Sequence, residues 1–168
     1  MKRFTAFMIV FALVAFMASF LSAQEKKEQK FEYIGADKCK MCHKKDNTHP
    51  SWEETAHAKA WESLDAEAQK NEECVACHST GTTAKGELLT GVQCEACHGP
   101  GSEYKSMSIM KDRVKSIANG LWMPDSTTCQ KCHNENVPEE FQKEGGYNFA
   151  EMMKTGLHDM PAEEAEKK

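Results

Sequence analysis

The 168-residue chain has no cysteine outside four short copies of one pattern, no face rich in lysine and arginine, and little of the aliphatic material from which cores are built. Beyond residue 23 it holds 15 Leu, Ile, Val and Phe residues in 145, about a tenth. A charged chain below roughly 20% is expected to be disordered, so a hydrophobic core made by polypeptide alone is excluded. The same stretch carries 19 basic and 26 acidic residues, a net charge of −7. An acidic chain without a basic face excludes nucleic acid and anionic lipid surfaces, and suits basic or mixed-charge protein partners. Long apolar runs are also lacking, with one exception. Lys2 and Arg3 precede a charge-free run from Ala6 to Leu21, shorter than the roughly 20 residues a bilayer span needs. With Leu21-Ser22-Ala23 before Gln24, residues 1–23 read as an export signal removed on the way to the periplasm, with no stable membrane insertion afterwards; the alternative is an uncleaved N-terminal anchor.

What is present is Cys-x-x-Cys-His, four times: Cys39, Cys42 and His43; Cys74, Cys77 and His78; Cys94, Cys97 and His98; Cys129, Cys132 and His133. Each reads as a c-type haem attachment site. Two thiols one helical turn apart form thioethers with the haem vinyl groups, and the adjacent imidazole reaches the iron from the same side. Two rivals compete for these cysteines. Eight cysteines in an exported chain allow 105 disulfide connectivities, and Cys74, Cys77, Cys94 and Cys97 have the spacing of a zinc ribbon. Neither rival needs a histidine after the second cysteine. With 7 histidines in 168 residues, chance supplies one at roughly 4% of positions, and so four times running only a few times in a million. Four covalently bound haems also answer the shortage of core, because each is a large, rigid, mostly apolar body.

Along the chain, residues 24–30 read as a charged leader, 31–160 as the haem-binding domain and 161–168 as a charged tail. Ser51 and Glu54 suggest a capping box for a helix bearing His57, Ala60, Trp61 and Leu64 on one face. Ser79 to Gln93 is rich in glycine and threonine and suggests a short hairpin. A helix is expected from Ser102 to Asn119, with Met107, Met110, Val114 and Ile117 on one face and Gly120 as its stop. A last helix runs from about Asn148 to Thr155 and delivers Leu157 and His158. The motif cysteines begin at 39, 74, 94 and 129, a spacing that suggests a close central pair of haems with two outer ones.

His43, His78, His98 and His133 are the expected proximal iron ligands. Only His49, His57 and His158 remain as distal candidates, so at least one iron lacks a distal histidine from this chain. Its sixth position is then open or taken by another group, for which Met107, Met110, Met123, Met152, Met153 and Met160 supply sulfur. Each distal candidate has a plainer reading, His57 as a core histidine and His158 as a solvated side chain. Methionines at helical spacing are more often core filler.

The stretch Gly91-Val92-Gln93-Cys94-Glu95-Ala96-Cys97-His98-Gly99-Pro100-Gly101-Ser102 resembles the tetrahaem cytochromes c that accept electrons from hydroxylamine oxidoreductase in nitrifying bacteria, and the wider multihaem family around them. Tyr33 to Lys38 running into Cys39, Trp52 to Ala58, and the run from Cys129 to His158 are similar to the same family. The resemblance implies a mainly α fold with long loops, a small multihaem cytochrome c fold organised around four covalently bound haems with little polypeptide core. It implies haems in stacked pairs, His57 and His158 as distal ligands, and one five-coordinate haem. The chain departs from the family at Tyr104, where members often carry a histidine; either His49 substitutes or a second haem takes no distal histidine. The leading expectation is an electron carrier between periplasmic redox proteins. The alternative is a haem enzyme acting on a small nitrogen or oxygen species at the iron that lacks a distal histidine. Lys105, Lys111 and Arg113 near the third motif are ordinary for a solvated helix face and do not mark an anion-reducing pocket.

Overall fold

The structure is a computed structural model describing residues 31–142, 146–155 and 157–159. The expected export signal, leader and charged tail lie outside these residues. Among the described residues no helix is long and apolar enough to cross a membrane.

The fold is a string of short helices joined by loops, with one small hairpin. Helix α1 (Ala36–His43) carries the first motif, and α2 (Thr48–Glu53) follows it. Two 3₁₀ turns, Ala60–Ser63 and Ala68–Lys70, lead to α3 (Glu72–His78) with the second motif. Strands β1 (Ser79–Thr82) and β2 (Leu88–Thr90) form the expected hairpin, antiparallel, with Gly81 opposite Leu89 and a bulge between Ser79 and Gly81. Helix α4 (Cys94–His98) carries the third motif, and α5 (Met107–Met110) and α6 (Arg113–Ala118) come next. Helix α7 (Ser126–Gln130) starts the fourth motif, a 3₁₀ turn spans Glu139–Phe141, and α8 (Phe149–Thr155) is the last among the described residues. Three motifs thus sit on helices that end at their histidine.

Two expected helices are corrected. The helix placed after Ser51 begins earlier, at Thr48, and stops at Glu53. The Thr55 hydroxyl donates to the Trp52 carbonyl at 2.7 Å and accepts the Ala58 N–H at 3.2 Å, a local bond that competes with helix continuation. The His57 carbonyl instead receives Val92 N–H at 2.9 Å. The segment from Ser102 to Asn119 breaks into α5 and α6 because Asp112 acts as an N-cap, accepting the Lys115 N–H at 3.1 Å. Its apolar stripe faces outward: Met107, Val114 and Ile117 are all exposed.

The shortage of core is visible. Among the described residues the buried hydrophobic side chains are Ala36, Leu89 and Tyr104. The centre is polar instead, made of Glu95 and the glycine-rich segment Gly99-Pro100-Gly101. Gly99 has a φ of +77°, and a Cβ there would lie 2.7 Å from the Gly120 carbonyl oxygen and 2.8 Å from the Trp122 ring. Only glycine fits both demands.

Candidate haem-binding site

Three of the four motif histidines share one local arrangement. His43 Nδ1 lies 3.0 Å from an Asp46 carboxylate oxygen, His78 Nδ1 lies 2.6 Å from the Ala60 carbonyl, and His98 Nδ1 lies 3.3 Å from the Trp122 carbonyl. These oxygens only accept, so Nδ1 must donate, and the lone pair is left on Nε2. That is the tautomer a metal-bound imidazole needs, with the second nitrogen fixed by a neighbouring acceptor. His133 is held differently, its ring stacked on Tyr147 at 5.3 Å with 12° between planes.

Two of the three distal candidates face a motif histidine. The rings of His57 and His133 have centroids 5.9 Å apart, and those of His98 and His158 are 6.1 Å apart. Two imidazoles sharing one metal, each nitrogen about 2 Å from it, have centroids about 6 Å apart. The spacing therefore fits an iron between each pair. Burial holds His57 below the usual histidine range, with His133 adding to the effect, and burial does the same to His133. Both are neutral at neutral pH, as metal ligation requires. His158 has Nδ1 2.9 Å from the Asp159 carbonyl, again freeing Nε2. Its segment is clamped to α2: Asn47 Nδ2 donates to Asp159 Oδ2 at 2.5 Å, and Asp159 N–H to Ser51 Oγ at 2.7 Å.

His49 is 3% exposed, its ring 5.2 Å from Trp52. Its Nδ1 is 3.5 Å from a Glu53 oxygen, but neither ring nitrogen has a hydrogen-bond partner. A buried imidazole without partners costs free energy unless something completes it. Tyr104 is 4% exposed and donates its hydroxyl to the Gly99 carbonyl at 2.6 Å. Burial raises its hydroxyl well above the usual range, with Cys39, Glu95 and Cys94 adding to the shift. The residue standing where the family often has histidine is thus a neutral phenol beside the first and third motifs. Of the methionines, Met107 and Met123 are exposed.

All eight cysteines are free of disulfides. Cys94 with burial raises the Cys39 thiol while Cys39 lowers that of Cys94, burial with Cys77 raises Cys132, and burial with Cys129 raises Cys97, so the thiols that act on one another include pairs from different motifs. The first motif therefore adjoins the third and the second adjoins the fourth. The pairing suggested by spacing, second with third, is replaced: the chain leaves the second motif as the hairpin and returns at Gln93, so sequence proximity does not set which thiols meet. The four cysteines of a zinc ribbon would converge, whereas Cys77 and Cys94 are each engaged elsewhere. Lys131, inside the fourth motif, stands 4.8 Å over the Trp122 ring whose backbone holds His98, a further tie between the third and fourth motifs.

Two residues were not singled out by sequence reading. Glu95, a spacer position of the third motif, is fully buried. Its carboxylate accepts N–H groups from Ile34 at 3.0 Å, Gly35 at 2.7 Å and Gly101 at 2.6 Å. Gln93 Oε1 accepts Ala36 N–H at 2.7 Å. The third motif thus caps the helix of the first. The second is Asp46, whose only sequence signal is an acid three residues beyond a motif histidine.

Residues 38–99 match the family described as cytochrome c554 and c-prime. The chain is 34% identical to cytochrome c-554 of Nitrosomonas europaea, over 51% of this chain and 46% of that protein, so it spans about half the length of the curated relative it matches. The structure of the reduced state of cytochrome c554 from the same organism superposes with a TM-score of 0.56 at 28% identity, covering 74% of this chain and 83% of that one.

Proposed function

We infer that this chain, a multihaem c-type cytochrome similar to cytochrome c554 and carrying four covalently attached haems, is a carrier of single electrons between redox proteins of the periplasm. One observation supports the reading: thiols of the first and third, second and fourth, and third and fourth motifs are near enough to act on one another electrostatically. The four attachment sites form a connected series, as an electron path requires. Each haem iron, when bound, takes up and releases one electron. The chain's own part is to hold the groups still, and to set their potentials through ligands, hydrogen bonds and burial. His57 and His158 are the distal ligands opposite His133 and His98, and His49 is the candidate for one remaining iron. The charged start and apolar run of residues 2–21 support export, and the net charge of −7 beyond residue 23 favours partners with basic faces.

A second reading has its own observation. Among the described residues, no histidine ring lies opposite His43 or His78 at the spacing that His57 keeps from His133. An iron with one free position could bind a small nitrogen or oxygen species. The test is to mix the reduced protein with nitric oxide, hydroxylamine or dioxygen, and separately with an oxidised soluble cytochrome. The carrier reading expects reoxidation of all four haems by the cytochrome and no sustained turnover of the small molecules. Sustained turnover would replace it with the enzyme reading.

A further inference from the structure

The four proximal histidines do not have equivalent partners. His78 and His98 give their Nδ1–H to neutral backbone carbonyls, of Ala60 and Trp122, and His133 lies against the Tyr147 ring. His43 instead gives Nδ1–H to a carboxylate, that of Asp46, at 3.0 Å. The pair is shielded in part, with about a third of each side chain exposed.

This contact is built rather than incidental. Asp46 Oδ1 accepts the Thr48 N–H at 3.1 Å, which fixes the carboxylate from its other side. The chain turns back at Asn47, which has φ 64° and ψ 1°, and is the sole non-glycine residue with positive φ among the described residues. A left-handed residue stores strain that the surroundings must over-determine, and such strain collects at functional sites. Here the turn directs Asp46 towards the histidine three residues before it, and Asn47 itself is pinned to Asp159.

We propose that Asp46 is a positioning residue that tunes the haem of the first motif. This rests on the reading of His43 as its iron ligand. The proton stays on Nδ1, but a charged acceptor draws it more strongly than a carbonyl does, and the imidazole gains electron density that it passes to the iron through Nε2. A more strongly donating ligand favours the oxidised iron. Asp46 therefore lowers the potential of the first haem relative to what a carbonyl partner would give, and adds an outer contact to the differences in ligand identity among the four haems. The first motif then holds electrons less tightly than its ligands alone would dictate.

The experiment is a potentiometric titration of the exported holoprotein, with intact mass as haem count and electron paramagnetic resonance of the oxidised form. Asp46→Asn should keep four haems, raise one midpoint potential and leave three unchanged, and alter the resonance signal of a single haem. Asp46→Glu should return that potential towards the original. Asp46→Ser serves as a second neutral variant. Four haems with all potentials unchanged in either neutral variant would overturn the proposal. So would loss of the first haem from both neutral variants, which would assign Asp46 to attachment instead. Failure of the underlying reading looks different: the unsubstituted protein would then carry no haem on the Cys39–Cys42 peptide.

Discussion

Glu95 Oε2 accepts the Gly35 N–H at 2.7 Å across 60 residues of chain, so a glutamate inside the third haem motif closes the N-terminus of the helix that bears the first. Gly35 precedes α1 with a φ of +83°, and α1 has no side-chain cap of its own. The carboxylate is fully buried, and its recorded partners are backbone N–H groups. In a chain with so little apolar core, this contact is a main tie between two haem sites.

Replacing Glu95 with Ala should therefore destabilise the holoprotein strongly. It leaves the N–H groups of Ile34, Gly35 and Gly101 without their acceptor, at roughly 1–3 kcal/mol for each buried donor left unpaired. Glu95→Gln should fall between, because its one oxygen can serve some donors while its amide nitrogen faces the rest. Thermal unfolding followed by near-ultraviolet and haem-region dichroism measures both; an alanine variant as stable as the original would remove the tie.

Gly99→Ala should cost far more than Gly86→Ala, although both glycines have positive φ, +77° and +83°. At Gly86 nothing lies within 4 Å of the added Cβ, so the expected cost is the left-handed conformation alone, about 1–2 kcal/mol. At Gly99 the Cβ also meets the Gly120 carbonyl and the Trp122 ring, and Trp122 is what holds His98. Thermal midpoints of the two variants, with the haem absorption of the third motif, test the difference.

How much of this was legible in the sequence follows from the range of the interactions. The attachment motifs could be read outright, because thioether chemistry fixes cysteine and histidine within five residues. The hairpin after His78 and the last helix could be read from local turn and cap signals. The helix bounds after Ser51 and Ser102 could not, since they depend on Thr55 bonding back to Trp52 and on Asp112 acting as a cap inside an apolar periodicity. The exposed stripe of Met107, Val114 and Ile117 follows the helical period yet does not cover a polypeptide core. The capping by Glu95 and the approach of Cys39 to Cys94 join segments more than 50 residues apart, and no local pattern announces them.

Two ligand variants test the distal assignments. His57→Gly should convert one low-spin signal of the oxidised protein to high-spin, and His158→Gly should convert a different one, because the first ring faces His133 and the second His98. Tyr104→His, at a buried position beside the first and third motifs, should add one low-spin signal. Electron paramagnetic resonance reads all three; unchanged spectra in the two glycine variants would remove His57 and His158 as ligands.

Acid should weaken the start of the fourth motif through Asp125. Hydrogen bonds from the Thr127 hydroxyl and the Thr128 N–H hold its carboxyl below the usual range. The folded value lies below the unfolded one, so its contribution is present above about pH 3.9 and is lost as pH falls through the folded value. The original chain should be slightly more stable than Asp125→Asn at neutral pH, and the two should converge in strong acid. Thermal midpoints measured from pH 7 to pH 2 check the convergence; a gap that persists in acid would contradict it.

A connected set of four one-electron centres in one chain is tested by coulometric reduction of the exported protein, followed through the haem absorption bands. Reversible uptake of four electrons per chain is expected, with every haem reduced and reoxidised by a soluble redox partner. Fewer than four electrons, or a haem that no partner can reoxidise, would contradict it.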